Sequence, residues 1–302
     1  MRILLTGASG FIGRHALAAL LAAGHEVHAV SRAHPSVEGD YAWHGVDLLA
    51  PGQAAAIAGS VKPECVLHLA WCVEHGRFWT DPANAAWREA TLALAGSAAD
   101  AGARRFVGTG TCYEYDWPAN ANCDERATPV AAHTPYDTSK DECRRALDAL
   151  ARESGLSFAW ARLFFLYGAD EAPGRLVASV ARAIARGEPA ACSSGLVVRD
   201  FMDVRDAGAA LAALALSDVE GPVNVASGEA LSIAELVTRL VALAGRPDLI
   251  RLGALPDRAG EPPRIVAEVA RLRDEVKFRP ALSLDAGLRD ALAFWASAEA
   301  QK

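Results

Sequence analysis

The first half of the chain alternates short aliphatic or β-branched runs with longer stretches whose apolar positions recur at helical spacing. Residues 2–6 predict a strand, and 11–23 a helix stopped by Gly24. Further strands are predicted at 26–30, 64–70, 104–109 and 157–166, with helices at 82–101 and 137–154 ending near Gly102 and Gly155. Strands and helices in this order predict stacked βαβ units, hence a parallel, doubly wound sheet with helices on both faces. After Tyr167-Gly168 the alternation weakens, and helical stretches at 174–186, 233–244 and 284–296 are separated by loops containing Pro and Gly. The expected architecture is α/β: a Rossmann domain over 1–167, with 200–226 returning to its sheet, and a smaller, discontinuous C-terminal substrate domain from 168–199 and 227–302. The cleft should lie against the carboxyl ends of the strands.

Composition narrows the partners. Of the 302 residues, 52% are hydrophobic and 22% charged, the balance of a folded globular protein. The net charge of −7 comes with no long basic run, which argues against a nucleic-acid partner. No stretch free of charges reaches membrane-spanning length, and the opening apolar run is too short for a signal peptide, so no membrane association is expected. The six cysteines form no CxxC pair and read as reduced thiols of a cytoplasmic protein. His25 and His28, three apart on a strand, point to opposite faces, and no metal site is expected.

Two motifs carry the chemistry. Thr6-Gly7-Ala8-Ser9-Gly10-Phe11-Ile12-Gly13 joins the first strand to the first helix. Gly7 permits a tight turn, Gly10 a close approach to a pyrophosphate, and Gly13 close helix–strand packing. With Ser9, Phe11 and Ile12 these glycines are the candidate cofactor contacts, the phosphates resting on the helix N-terminus. Strand two ends in Ser31-Arg32 with no acid until Glu38. A ribose 2′-hydroxyl calls for an acidic acceptor there and a 2′-phosphate for Arg and hydroxyl donors, so NADP(H) is favoured, with NAD(H) possible. Asp47 and Leu48 are placed to hold the adenine.

The second motif is Tyr136-Asp137-Thr138-Ser139-Lys140. Residues four apart share a helix face, so Lys140 should sit beneath Tyr136. Its ammonium would favour the phenolate and move the phenol down from about 10 toward working pH, making Tyr136 a general acid or base for hydroxyl–carbonyl interconversion. Thr109, at the end of its predicted strand, would polarise the substrate oxygen.

Together these residues resemble the extended short-chain dehydrogenase/reductases, the NAD(P)-dependent sugar epimerase/dehydratase family. The resemblance extends to Leu67-His68-Leu69-Ala70, Asn84, Arg162-Leu163-Phe164, Arg199-Asp200-Phe201, Val223-Asn224-Val225-Ala226-Ser227-Gly228 and Arg258-Ala259-Gly260-Glu261. It implies a nucleotide-diphosphate sugar gripped by Arg199 and Arg258. It also implies cofactor contacts at Leu69 and Ala70 and from Tyr136 and Lys140, and a homodimer through a bundle of the two long helices. Thr111, His75 and Asn84 are further substrate contacts by position.

Departures narrow the reaction. The family's 4,6-dehydratases follow the strand-end Thr with Asp and Glu, where Gly110 and Thr111 stand here, so elimination lacks its acid and base. Phe165 replaces the Asn expected after Arg162-Leu163-Phe164. The segments 75–79 and 114–117 should face the cleft. The expectation is an NADPH-dependent reductase of a nucleotide-linked 4-keto-6-deoxy sugar, with an NAD-dependent 4-epimerase as the alternative.

Overall fold

The computed structural model describes residues 1–74 and 76–301. Its centre is β1 (Arg2–Thr6), in which Ile3, Leu4 and Leu5 are wholly buried. Apolar side chains on successive residues mark a strand covered on both faces. The chain then runs through α1 (Gly13–Ala22), β2 (Glu26–Ser31), β3 (Ala42–Gly45), α2 (Gln53–Val61), β4 (Cys65–His68) and α3 (Ala83–Asp100). It continues with β5 (Arg105–Thr111), α4 (Pro135–Ser154), β6 (Ser157–Leu163), β7 (Phe165–Tyr167) and α5 (Leu176–Ala185). There follow β8 (Ala190–Ala191), β9 (Val198–Arg199), β10 (Phe201–Asp203), α6 (Val204–Leu216) and β11 (Gly221–Val225). The last elements are β12 (Leu231–Ser232), α7 (Ile233–Leu243), β13 (Ile250–Arg251), β14 (Arg264–Ile265) and α8 (Leu284–Ala300).

Seven strands form the main sheet in the order β11-β6-β5-β4-β1-β2-β3, every pairing parallel. Apolar side chains of α1 and α6 build the core on one face, and those of α2, α3 and α4 on the other. This is the doubly wound α/β arrangement expected, and it sends every strand's carboxyl end to one edge. A further core joins α5, α7 and α8 around Val177, Leu236, Leu240 and Leu288.

The run at 157–166 is two strands rather than one. At Phe164 the chain changes partner: the Phe164 N–H donates to Val225 of β11, and the Phe165 N–H to Asp200 ahead of β10. β7 therefore leaves the main sheet to pair with β10. Asp200, wholly buried, accepts from the N–H groups of Ser227, Gly228 and Ala267 and from the Ser227 hydroxyl, tying three loops together.

On α4, Cys143, Leu147 and Ala151 face inward and are buried within the chain's own core. Its remaining surface carries ion pairs of Asp141 with Arg144 and Arg145, and of Asp148 with Arg152. Among the described residues no helix is long and apolar enough to cross a membrane.

The β1–α1 turn is sterically determined. Gly7 has φ +71°, and a Cβ on it would lie 2.9 Å from the Ala70 nitrogen. A Cβ on Gly13 would lie 2.0 Å from the Gly7 carbonyl oxygen, a backbone atom with nowhere to move. Gly13→Ala should therefore cost at least about 2 kcal/mol by overpacking. A denaturant midpoint equal to wild type, measured without cofactor, would contradict this crossing.

Candidate active site

β5 is buried along its whole length and continues two residues beyond its expected end. Thr109 is thus inside the sheet, and its hydroxyl donates to the His68 carbonyl of β4 at 3.2 Å. The strand-end hydroxyl is Thr111, which accepts the Tyr113 N–H at 3.2 Å and keeps its own proton to donate. Thr109 and Thr111 are both buried, and of the two the Thr109 hydroxyl is the one already donating to a backbone carbonyl.

After Thr111 the chain turns through a short 3₁₀ segment, Cys112–Glu114, closed by a reciprocal cap. The Glu114 carboxylate accepts the Thr111 N–H at 2.9 Å, the Trp160 indole N–H at 3.0 Å and Arg162 Nε at 2.8 Å. Glu114 and Arg162 are almost wholly enclosed, so 114–115 forms core and not the cleft-facing loop expected. The Arg162 guanidinium lies 4.4 Å from the Tyr115 ring, whose hydroxyl donates to Asn224 Oδ1 at 2.7 Å. A Cβ on Gly110 would strike Trp160 and Glu114 at 2.1 and 2.2 Å. The position where dehydratases carry an acid is therefore closed to any side chain, and Cys112 and Tyr113, next after Thr111, supply none.

α4 starts at Thr134, whose side chain accepts the Asp137 N–H while the Asp137 carboxylate accepts the Thr134 N–H. Pro135 occupies the first turn, which places Tyr136 there and Lys140 one turn on. The Tyr136 N–H donates to the Trp79 carbonyl at 3.1 Å, and the phenol is flanked edge-on by Phe78 and Trp79 at 4.9 and 5.9 Å between centroids. Lys140 Nζ donates to the Thr109 carbonyl at 2.8 Å and lies 3.6 Å from the centroid of Trp71.

The electrostatics differ from expectation. Lys140 Nζ is 5.9 Å from the Tyr136 ring, and burial pulls its own pKa down to about 7. Tyr136 moves the other way: burial, helped by the negative charges of Glu114 and Asp137, pushes the phenol above its ordinary value. Enclosure sets the direction of the Tyr136 shift.

Below the glycine turn, His68 spans two hydroxyls, with Nδ1 2.8 Å from Thr6 and Nε2 2.9 Å from Thr91. Thr91 gives its proton to the Trp87 carbonyl, so it accepts from His68 Nε2–H, and Thr6 donates to Nδ1. The imidazole is neutral, its pKa lowered to about 3 by burial and by Lys140.

The remaining sequence candidates sort by what already holds them. The Ser31 hydroxyl donates to the Ala33 carbonyl and accepts from Trp43, so it is not free to donate to a phosphate. Arg32 is exposed, with no ion pair among the described residues. Asp47 accepts the Leu49 N–H, and Leu48 is core packing. Leu69 and Ala70 lie where β4 ends, against Gly7. Asn84 is not open to a substrate: Oδ1 accepts from Trp71 Nε1 and Nδ2 donates to the Phe78 carbonyl, both at 2.8 Å. Arg199 is buried against Glu261 at 2.8 Å, its charge already matched, whereas Arg258 is exposed. His75 lies outside the described residues. Trp71 was not singled out from the sequence, and Glu114 and Phe78 fell only in segments expected to face the cleft, because their partners Lys140, Arg162 and Tyr136 are distant in the chain. A cavity of about 580 Å³ opens away from these groups, among Tyr167, Phe201, Arg279 and Leu284.

The glycine turn fits a dinucleotide. No side chain caps α1, so the N-terminus of the helix is left to a phosphate.

Residues 3–226 match the model of the NAD dependent epimerase/dehydratase family. The chain is 28% identical to dTDP-6-deoxy-L-talose 4-dehydrogenase (NAD(+)) of Aggregatibacter actinomycetemcomitans, over 80% of this chain and 90% of that one. It is 29% identical to GDP-6-deoxy-D-mannose reductase of Pseudomonas aeruginosa, over 98% and 97%. A solved UDP-glucose 4-epimerase of Thermus thermophilus, in complex with NAD, shares the fold with a TM-score of 0.86 at 25% identity, covering 99% of this chain and 100% of that one.

Glu114→Ala would strand the buried Arg162 guanidinium and should destabilise the fold by about 3–5 kcal/mol. Asp148→Ala, which breaks a surface pair with Arg152, should leave the denaturation midpoint within error of wild type. Equal effects of the two substitutions would contradict the assignment of Glu114 to the core.

Proposed function

The chain belongs to the NAD dependent epimerase/dehydratase family, NAD(P)-using enzymes that modify nucleotide sugars, and from that premise we propose that it reduces the 4-keto group of a nucleotide-linked 6-deoxy sugar with NADPH. The observation that carries this reading is the enclosure of Tyr136, flanked by Phe78 and Trp79 and one helical turn from Lys140. A phenol so placed has a proton to give to a developing alkoxide, as reduction requires, and burial raises it above its ordinary value.

When bound, the cofactor supplies the hydride. Tyr136 gives its proton to the sugar oxygen as negative charge builds there, and Thr111 donates a hydrogen bond to the same oxygen. Lys140, anchored on the Thr109 carbonyl, keeps positive charge near Tyr136 and reaches toward the nicotinamide ribose. The turn at Gly7, Gly10 and Gly13 and the uncapped start of α1 take the pyrophosphate. Arg32 takes the 2′-phosphate, and Arg258 the diphosphate of the sugar nucleotide. Trp79, Tyr113 and Phe165 touch in sequence, at 4.7 and 6.1 Å between centroids, and form an apolar wall next to Tyr136. Such a wall suits a sugar carbon that has lost its hydroxyl. The two relatives named for 6-deoxy sugars support the same substrate class.

Wild type, isolated empty, should consume NADPH with at least one member of a panel of nucleotide 4-keto-6-deoxy sugars. Tyr136→Phe should lower kcat by about 10²–10⁴-fold. Arg32→Ala should raise KM for NADPH about tenfold and leave KM for NADH unchanged. Tightly retained NAD, no net consumption and interconversion of nucleotide hexoses would make the enzyme a 4-epimerase instead.

A further inference from the structure

Lys140 is a cation enclosed without a carboxylate of its own. From β5 and its turn, Glu114 faces it but is bonded to Arg162. From β4, His68 faces it as a neutral imidazole. From α4 itself come the Tyr136 phenol and the Cys143 thiol, the latter pushed up to about 11 by burial. The Thr109 carbonyl is its one hydrogen-bond partner among the described residues. What lies against the ammonium is the face of Trp71, 3.6 Å from Nζ to ring centroid, closer than the Tyr136 and Trp160 rings at 5.9 Å.

That indole is fixed. Its N–H donates to Asn84 Oδ1 at 2.8 Å, and Asn84, itself buried, is fixed in turn by its bond to the Phe78 carbonyl. Trp87 stacks beyond Trp71 at 6.3 Å between centroids. The same Asn84 thus joins the ring under Lys140 to the segment that flanks Tyr136. An aromatic face attracts a desolvated cation through the negative potential above the ring, and it leaves the free amine almost untouched.

We propose that Trp71 is a positioning residue of this site, its indole face holding the Lys140 ammonium charged and in place beside Tyr136. Resting on the reading of Tyr136 as proton donor and Lys140 as the cation that supports it, this assignment can still be tested on the protein without cofactor or substrate. Burial pulls Lys140 down to about 7 even with the charges of Cys143 and Glu114 opposing it. The ring opposes that fall.

The chain has only four lysines, Lys62, Lys140, Lys277 and Lys302, so carbon-13 labelling at the lysine ε position gives a spectrum in which Lys140 is assigned by Lys140→Arg. In Trp71→Leu the titration midpoint of Lys140 should fall by about one pH unit, and in Trp71→Phe, which keeps an aromatic face, by less than half as much. Should Trp71→Leu fail to fold, Asn84→Ala, which leaves the indole but removes its acceptor, should lower the midpoint in the same direction. Because the charged form disappears as pH rises through this pKa, the alkaline limb of kcat should move down by the same interval in each variant. A midpoint unchanged or raised in the folded variants would overturn the assignment. Failure of the functional reading would show separately, as wild type that never oxidises NADPH although the midpoint shifts as expected.

Discussion

A buried ammonium must be stabilised by whatever surrounds it, and in this protein the surroundings of Lys140 are neutral. The Thr109 carbonyl and the Trp71 face carry the contact, and the nearest carboxylate, Glu114, belongs to Arg162. The rest of the site follows from that arrangement. α4 must dock on β5 so that Nζ reaches Thr109, His68 must remain neutral beneath the glycine turn, and Asn84 must hold the indole. Moving any of these would leave a charge in a low-dielectric interior, a far larger penalty than a lost surface contact.

In the proposed reduction the same enclosure gives the chemistry a direction. Tyr136 is packed by rings and faced by negative charge from Glu114 and Asp137, which raises the phenol above its ordinary value. Two carboxylates that might have served as acid or base are occupied in structure: Glu114 in its ion pair, Asp137 in the cap of α4. In the proposed reaction Tyr136 is the one proton donor that remains, with a strand-end hydroxyl beside it.

Much of this was legible in the sequence. Gly13 is readable because its constraint is local, the Gly7 carbonyl on the same turn, whereas Gly7 is dictated both by its positive φ and by Ala70 at the end of β4. The strands and helices that were predicted came from periodicity, whereas β3, α2 and β11 were not resolved as elements by the pattern. The break at Phe164 was invisible because both halves are equally apolar, and only the change of partner from β11 to β10 separates them. Glu114 was misplaced for a related reason. A carboxylate amid aromatic residues looks like a loop until Arg162, 48 residues on, is brought against it by the β5–β6 pairing. Asn84 was noticed as a polar residue in a telling place, but its partners Trp71 and Phe78 lie in a loop whose path no pattern reveals. The Tyr136–Lys140 spacing puts the two one turn apart on α4, whereas the sign of the Tyr136 shift depends on enclosure, which a motif does not contain.

In the proposed reaction, hydride enters the sugar from outside and Tyr136 supplies the accompanying proton. The most direct test is to supply NADPH deuterated at the transferred position and examine the product by mass spectrometry and NMR. One deuterium is expected at the former keto carbon for each cofactor oxidised, with the oxygen carrying a solvent-derived proton. Product formed without deuterium, the hydrogen having been returned from the substrate itself, would contradict it.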